Sequence, residues 1–174
     1  MRNEIRIAGT GGMGVVLAGD IIGHAAVNAG LNVVQSQSYG SEARGTAAKS
    51  EIIISDGDIH YPKVRKSDIF VVMSQKALDM YLEDAKENSI LIVDPDLVDV
   101  SQIDSGFKII KVPAMQTADD MGLRLVSNMV MLGALTKTIE MISMDALEKA
   151  VANAVPEKYL EINMKAVKAG ADFV

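Results

Sequence analysis

Glu4-Ile5-Arg6-Ile7-Ala8-Gly9-Thr10-Gly11-Gly12-Met13-Gly14-Val15-Val16-Leu17 passes from a short apolar strand through a glycine-dense turn into a helical repeat. The helical spacing continues through Ile21-Ile22 and Ala25-Ala26 to Asn28, and Gly30 falls where a C-cap belongs. Strand, glycine turn and helix in that order give a G-x-G-x-x-G match its meaning. Backbone N–H groups at a helix N-terminus favour an anion, so the turn is a candidate phosphate cradle. Two other readings stay open. The glycines can serve a tight turn and close helix–strand packing, or admit a segment of another chain.

Working outward, Leu31 to Ser38 reads as a second strand and Glu51-Ile52-Ile53-Ile54-Ser55 as a third. The unbroken β-branched run in the third predicts burial on both faces. Ile69–Met73 and Ile90–Val93 are further strands, with a helix around Lys76–Lys86 between them, and Phe107–Val112 is a sixth, stopped by Pro113. The remainder is helical in pattern: about Gln116–Met141, Met144–Ala154, then Pro156 onward, where proline suits a first turn. Strands that alternate with helices and then yield to helices predict an α/β fold. We expect one three-layer α/β/α Rossmann-like domain over residues 1–174, with a mixed sheet and a helical C-terminal tail. The sheet is mixed because only about a dozen residues, Tyr39 to Ser50, separate strands two and three. A parallel crossover needs a helix as well as that length. A long exposed loop and at least one antiparallel pairing follow.

Composition narrows the function. The 174 residues are 49% hydrophobic and carry a net charge of −6 without a Lys/Arg cluster, which argues against nucleic acid as a partner. No apolar run approaches the roughly 18 residues of a membrane span, and Met1-Arg2-Asn3-Glu4 has no leader architecture. A cytoplasmic protein without membrane association is the expectation. Cysteine is absent, so the chain has no disulfide, thiolate nucleophile or cysteine-held cluster. His24 and His60 belong to no ligand motif, and His24 shares a polar helical stripe with Asp20 and Asn28. The eleven methionines suit irregular core gaps and adaptable surfaces alike.

A dinucleotide site requires a ribose-binding carboxylate about twenty residues after the turn. Val34-Gln35-Ser36-Gln37-Ser38 supplies none, and the first carboxylate beyond it is Glu42. The following stretch, Ser38-Tyr39-Gly40-Ser41-Glu42-Ala43-Arg44-Gly45-Thr46, sets a phenol, a carboxylate, a guanidinium and hydroxyls between glycines. A loop this polar in an apolar domain points to binding, and Arg44 suits a carboxylate or phosphate. An internal Glu42–Arg44 pair is the plainer alternative. Asp56-Gly57-Asp58 and Asp94-Pro95-Asp96 follow strands and read as turn chemistry before magnesium sites. No nucleophile–base pair or metal cluster emerges, so we assign no catalytic and no metal residue.

The glycine turn and the Ser38–Thr46 loop together resemble the gamma subunits of the 2-oxoacid:ferredoxin oxidoreductases. Ile54-Ser55-Asp56, Ile59-His60-Tyr61-Pro62, Ser67 to Met73 and Asn128-Met129-Val130-Met131-Leu132-Gly133-Ala134-Leu135 extend the likeness in fixed order. Thr46, where a second glycine is common, and Met13, where Gln is frequent, depart from the pattern. Ser-Gln-Ser-Tyr-Gly resembles the 2-oxoglutarate branch more than the pyruvate branch.

The resemblance implies a subunit of a complex that decarboxylates a 2-oxoacid, forms an acyl-CoA and reduces ferredoxin. It implies alpha, beta and ferredoxin-like delta subunits as partners. Thiamine diphosphate, magnesium, iron–sulfur clusters and CoA would reside on those other subunits, with no cofactor held by this chain alone. This chain would organise the complex or frame its CoA channel. Its candidate contacts for a phosphate, CoA or a companion chain are Gly9, Gly11, Gly12, Gly14, Tyr39, Glu42, Arg44 and Gly45. The rivals are a free-standing nucleotide-binding oxidoreductase, a scaffold without a small ligand, and the subunit of a pyruvate, branched-chain or indolepyruvate enzyme.

Overall fold

In the computed structural model, which describes residues 1–39 and 47–174, the opening stretch is strand β1 (Arg2–Thr10) followed by helix α1 (Val15–Asn28). Gly30 ends α1 as expected: its φ is 80°, its N–H reaches the Val27 carbonyl, and Leu31 N–H reaches Ala26. That is a Schellman closure, for which glycine is the favoured residue. Strands β2 (Asn32–Ser38), β3 (Ala47–Ser55), β4 (Ser67–Val72), β5 (Ala85–Val93) and β6 (Lys108–Lys111) complete one sheet, ordered β2-β3-β1-β4-β5-β6. The sheet is mixed. β1, β4, β5 and β6 run parallel, while β3 is antiparallel to both β1 and β2.

Period-two alternation divides the strands between two cores. Ile5, Ile7, Ile52, Ile54, Val71 and Ile92 face one apolar cluster, whereas Ala8, Phe70, Val72, Leu91 and Val93 face the other. Helix α1 covers the first together with α3 (Ala114–Asp120), α4 (Ser127–Thr138), α5 (Met144–Ala154) and α6 (Leu160–Ala171). The second is covered by α2 (Gln75–Tyr81) and by the irregular segment carrying Val98, Ile103 and Phe107. Helices α4 and α6 press backbone to backbone. A Cβ on Gly133 would overlap the Val167 carbonyl, and one on Gly170 would overlap that of Val130.

Four boundaries differ from the sequence reading. β3 starts at Ala47 rather than Glu51, because Ala47–Ser50 continue the ladder against β1. The helix around Lys76–Lys86 stops at Tyr81, makes a single 3-10 turn at Leu82–Asp84, and becomes β5. Charged residues in β5 hid this. Lys86 and Glu87 lie in a bulge, where the register jumps from Ser67/Ala85 to Ile69/Ile90 and Asn88 adopts φ 63°. Asparagine is among the few residues that visit this region routinely. The helix over Gln116–Met141 is two helices, broken at Gly122 (φ 83°) and a 3-10 turn at Arg124–Val126. The last helix begins at Leu160, after a 3-10 turn at Glu157–Tyr159 that follows Pro156.

Candidate functional site at the glycine turn

From β1 the chain crosses to β2 on one side of the sheet, whereas β4, β5 and β6 build outward on the other. The carboxyl ends of β1 and β4 therefore flank a topological switch point, where open α/β sheets bind ligands. The glycine turn sits there, and its glycines do different work. A Cβ on Gly9 would come 3.0 Å from Met73 Cβ and 3.2 Å from Val15 Cγ2. Gly12 has φ 89°, and Gly14 has φ 73° with the Asn128 amide packed against its Cα. Gly11 has neither constraint among the described residues: none of their atoms lies within 4 Å of a Cβ built there, and its φ is outside the left-handed region. Local folding accounts for Gly9, Gly12 and Gly14 but not for Gly11.

Gly14 is also the N-cap of α1, and it has no side chain with which to cap that helix. The first intrahelical bond is Ala18 N–H to the Gly14 carbonyl, 2.9 Å, so the amides of Val15, Val16 and Leu17 precede the ladder. They border an open groove of about 330 Å³ lined by Thr10, Gly11, Gly12, Val16, Leu17 and Tyr39. Tyr39 is 62% exposed at its rim. The structure thus brings together Gly11, Gly12, Gly14 and Tyr39, while Gly9 lies beneath them. Glu42, Arg44 and Gly45 fall outside the described residues, as does any Glu42–Arg44 pair.

The dinucleotide reading loses its geometry as well as its carboxylate. In the Rossmann arrangement the second strand neighbours the first, so its terminal acid reaches the ribose. Here β3 lies between them. The mid-strand residue Gln35 instead donates to Asp20 Oδ1 at 2.6 Å, tying β2 to α1.

The Asp94-Pro95-Asp96 pair makes a turn bond, whereas the Asp56 carboxylate is tied to the N-terminus. The Asp94 carboxylate is buried and accepts N–H bonds from Met115 (2.8 Å) and Asp96 (3.0 Å). Burial pushes its carboxyl above the ordinary carboxylate range. Asp56 takes a 2.6 Å hydrogen bond from the N-terminal ammonium, which lowers its pKa. Among the described residues no acid or histidine cluster could hold a metal ion. His24 faces a groove between α1 and α5, its Nδ1 2.8 Å from the Asp20 carbonyl, and His60 is exposed.

Sequence reasoning overlooked the part Asn128 plays. Its Nδ2 donates to the Gly14 carbonyl at 3.3 Å, pinning the turn to α4. The sequence signal is an asparagine opening the apolar run Asn128–Leu135; the structure buries it to 3% exposure, where it requires a polar partner. What the site can do follows from these contacts. It offers backbone donors and an aromatic rim to an anionic ligand or an incoming chain.

No helix among the described residues is long and apolar enough to cross a membrane. A family model described as pyruvate ferredoxin/flavodoxin oxidoreductase matches residues 4–173. The 2-oxoglutarate synthase subunit KorC of Methanothermobacter marburgensis is 46% identical, over all of this chain and 97% of the relative. The gamma subunit of a keto/oxoacid ferredoxin oxidoreductase from Geobacter sulfurreducens superposes with a TM-score of 0.87 at 40% identity, covering 99% of this chain and 95% of that one. A chain of the 2-oxoglutarate:ferredoxin oxidoreductase of Magnetococcus marinus, solved with 2-oxoglutarate, coenzyme A and succinyl-CoA bound, gives 0.91 at 26% identity. That match covers 99% of this chain and 31% of the larger one, so the whole fold recurs there as one part of a longer polypeptide. Matched over nearly its whole length, this chain belongs to the pyruvate ferredoxin/flavodoxin oxidoreductase family.

Proposed function

We propose that this chain is the gamma-type subunit of a 2-oxoglutarate:ferredoxin oxidoreductase. The complex converts 2-oxoglutarate and CoA to succinyl-CoA and carbon dioxide, passing two electrons to ferredoxin. The observation that carries the reading is the end-to-end match, at 46% identity, to a 2-oxoglutarate synthase subunit. Alpha, beta and ferredoxin-like delta subunits complete the assembly. Thiamine diphosphate, magnesium and the iron–sulfur clusters reside on those chains and supply the carbanion and electron-transfer chemistry. This chain's part is to bind and orient.

Its working surface is the groove at the α1 N-terminus. The amides of Val15 to Leu17 and the open backbone at Gly11 and Gly12 receive a phosphate of CoA or a carboxylate of a companion subunit. Tyr39 borders that ligand. Arg44, outside the described residues, would pair by its chemistry with that phosphate or carboxylate. CoA bound in the Magnetococcus enzyme supports the phosphate as the ligand class. The rival, a free-standing nucleotide-binding oxidoreductase, is disfavoured by the insertion of β3 between β1 and β2.

Native co-purification with mass spectrometry tests the assignment. Companion chains bearing thiamine and cysteine-cluster motifs are expected, and a chain that purifies alone with NAD-dependent activity overturns it. Calorimetric titration of the complex with CoA and NAD then identifies the ligand, CoA being the one expected to bind.

A further inference from the structure

Residues 56–66 join β3 to β4 at the end of the sheet opposite the glycine turn. β1 measures the separation: Arg2 lies beside Ser55 and Thr10 beside Ala47, about 26 Å apart at about 3.3 Å per residue. Lys63, Arg65 and Lys66 stand on this connection within four positions, all exposed. In the sequence they read as scattered cations, but the fold leaves them together on one surface loop. Among the described residues none of the three has an ion pair, whereas Arg2, Lys49, Lys86 and Arg124 each lie 2.6–3.2 Å from a carboxylate. The acids of the same loop do not answer them: Asp56 holds the N-terminal ammonium, and Asp58 is exposed without an ion pair among the described residues. The loop is nonetheless anchored. Val64 is 8% exposed, the Tyr61 carbonyl accepts from Arg2 Nη2 at 3.5 Å, and the Arg65 guanidinium lies 4.5 Å over the Tyr61 ring.

We infer that the Tyr61–Lys66 loop docks a carboxylate-rich face of a companion protein subunit. That the partner is a companion subunit rests on the functional reading above, and its chemistry is read from the charges. A chain of net −6 that keeps three unpaired cations in one place attracts an acidic surface there and repels it elsewhere, which fixes orientation. Tyr61 is 44% exposed under Arg65, and tyrosine with arginine is the combination that anchors protein interfaces. A loop already held by Val64 and Arg2 loses little entropy on docking. A nucleic acid fits less well. Its phosphates call for roughly six to ten contacts, against three cations here. One face of the Tyr61 ring is also taken by Arg65 and is closed to a stacking base.

Carbodiimide cross-linking of the co-purified complex tests the docking, because it joins an ammonium to a carboxylate in contact with it, the reagent leaving as its urea. Peptide mass spectrometry should find Lys63 or Lys66 bonded to Asp or Glu of a companion chain. Both lysines should be acetylated several-fold more slowly in the complex than in the free chain. The double variant Lys63→Glu, Lys66→Glu should capture companions about ten-fold more weakly at an unchanged Tm, an effect that shrinks as salt rises. Acetylation at the free-chain rate within the complex overturns the inference. So do cross-links from these lysines that join two copies of this chain, and native capture by the double variant. A chain that captures no companion rejects the functional reading instead, and the loop is then read with a deca-glutamate peptide and a duplex DNA oligonucleotide. Salt-sensitive peptide binding by the native chain, lost in the double variant, is the expected result. Equal peptide binding by both chains, binding by neither, or tighter binding of the DNA overturns the docking.

Discussion

Exchanging single glycines of the turn for alanine separates its folding role from its binding role. Gly14→Ala places an L residue at φ 73° against the Asn128 amide. The left-handed backbone costs about 1–2 kcal/mol and the overlap about 1–3 kcal/mol more. Together they predict a loss of about 2–5 kcal/mol, or about 4–20 °C in Tm at 2–4 °C per kcal/mol for a chain of this size. Gly11→Ala meets nothing within 4 Å among the described residues and has no left-handed φ to hold. Its stability should stay level or rise by up to about 1 kcal/mol, through a less flexible unfolded chain. Function should move the other way. A methyl group on the open backbone at Gly11 obstructs whatever approaches, so Gly11→Ala should weaken CoA binding or companion capture while melting normally. Thermal melts beside calorimetric titration and pull-down read both quantities. A Gly11→Ala chain that binds CoA and companions like the native one would refute the assignment of the turn as a contact surface. A Gly14→Ala chain of native stability would refute the packing argument.

Four further outcomes are expected. Arg44→Ala should raise the KM for CoA or weaken assembly, with little change in Tm, measured by steady-state kinetics on the complex. Arg6 is 2% exposed and donates through Nε and Nη2 to Glu51 Oε1 at 2.9 and 2.6 Å. Glu51→Gln leaves that buried guanidinium with only the more distant Asp84 carboxylate, 4.0 Å away, and should cost about 3 kcal/mol in urea denaturation. The Thr136 hydroxyl is buried without a hydrogen-bond partner among the described residues, so Thr136→Val should stabilise by about 1 kcal/mol. Asp94 supplies a pH dependence. Its carboxyl is raised from 3.8 by burial, so the folded chain holds that proton more tightly than the unfolded one. Its contribution is therefore complete below 3.8 and declines as pH rises through the raised value. Asp94→Asn should remove that decline from a plot of Tm against pH.

The first forty residues were legible because each level agreed. An apolar strand, a glycine turn, helical spacing and a glycine C-cap all predicted the same unit, and β1, α1 and Gly30 form it. The antiparallel pairing was legible from arithmetic, since a dozen residues cannot carry a parallel crossover. Its consequence, β3 lying between β1 and β2, was not, because strand order depends on contacts that periodicity does not encode. Lys86 and Glu87 concealed the start of β5 because a bulge frees charged residues from the alternation expected of a strand. Gly122 breaks the helix expected over Gln116–Met141, a break that the apolar spacing on both sides conceals. Within the turn, one motif gave no means of telling Gly11 from Gly14. That difference depends on φ and on Asn128, more than a hundred residues away in the chain.

Beneath the turn, Met13, Met73, Met115 and Met131 close around Asp94 and Ser127, leaving no room for a water molecule. Flexible thioethers fill the irregular space between the ends of β1, β4 and β5 and the starts of α3 and α4. The Asp94 carboxylate bonds the backbone on both sides of that space, at Asp96 and Met115. The turn is thus supported from below by packing, from α4 by Asn128 and from its own backbone by left-handed glycines. Its upper surface is open. A ligand or a companion subunit that meets a surface already ordered loses less conformational entropy on docking than one that must order a loop. A fixed floor under a groove that is open among the described residues suits the orienting role proposed for this subunit.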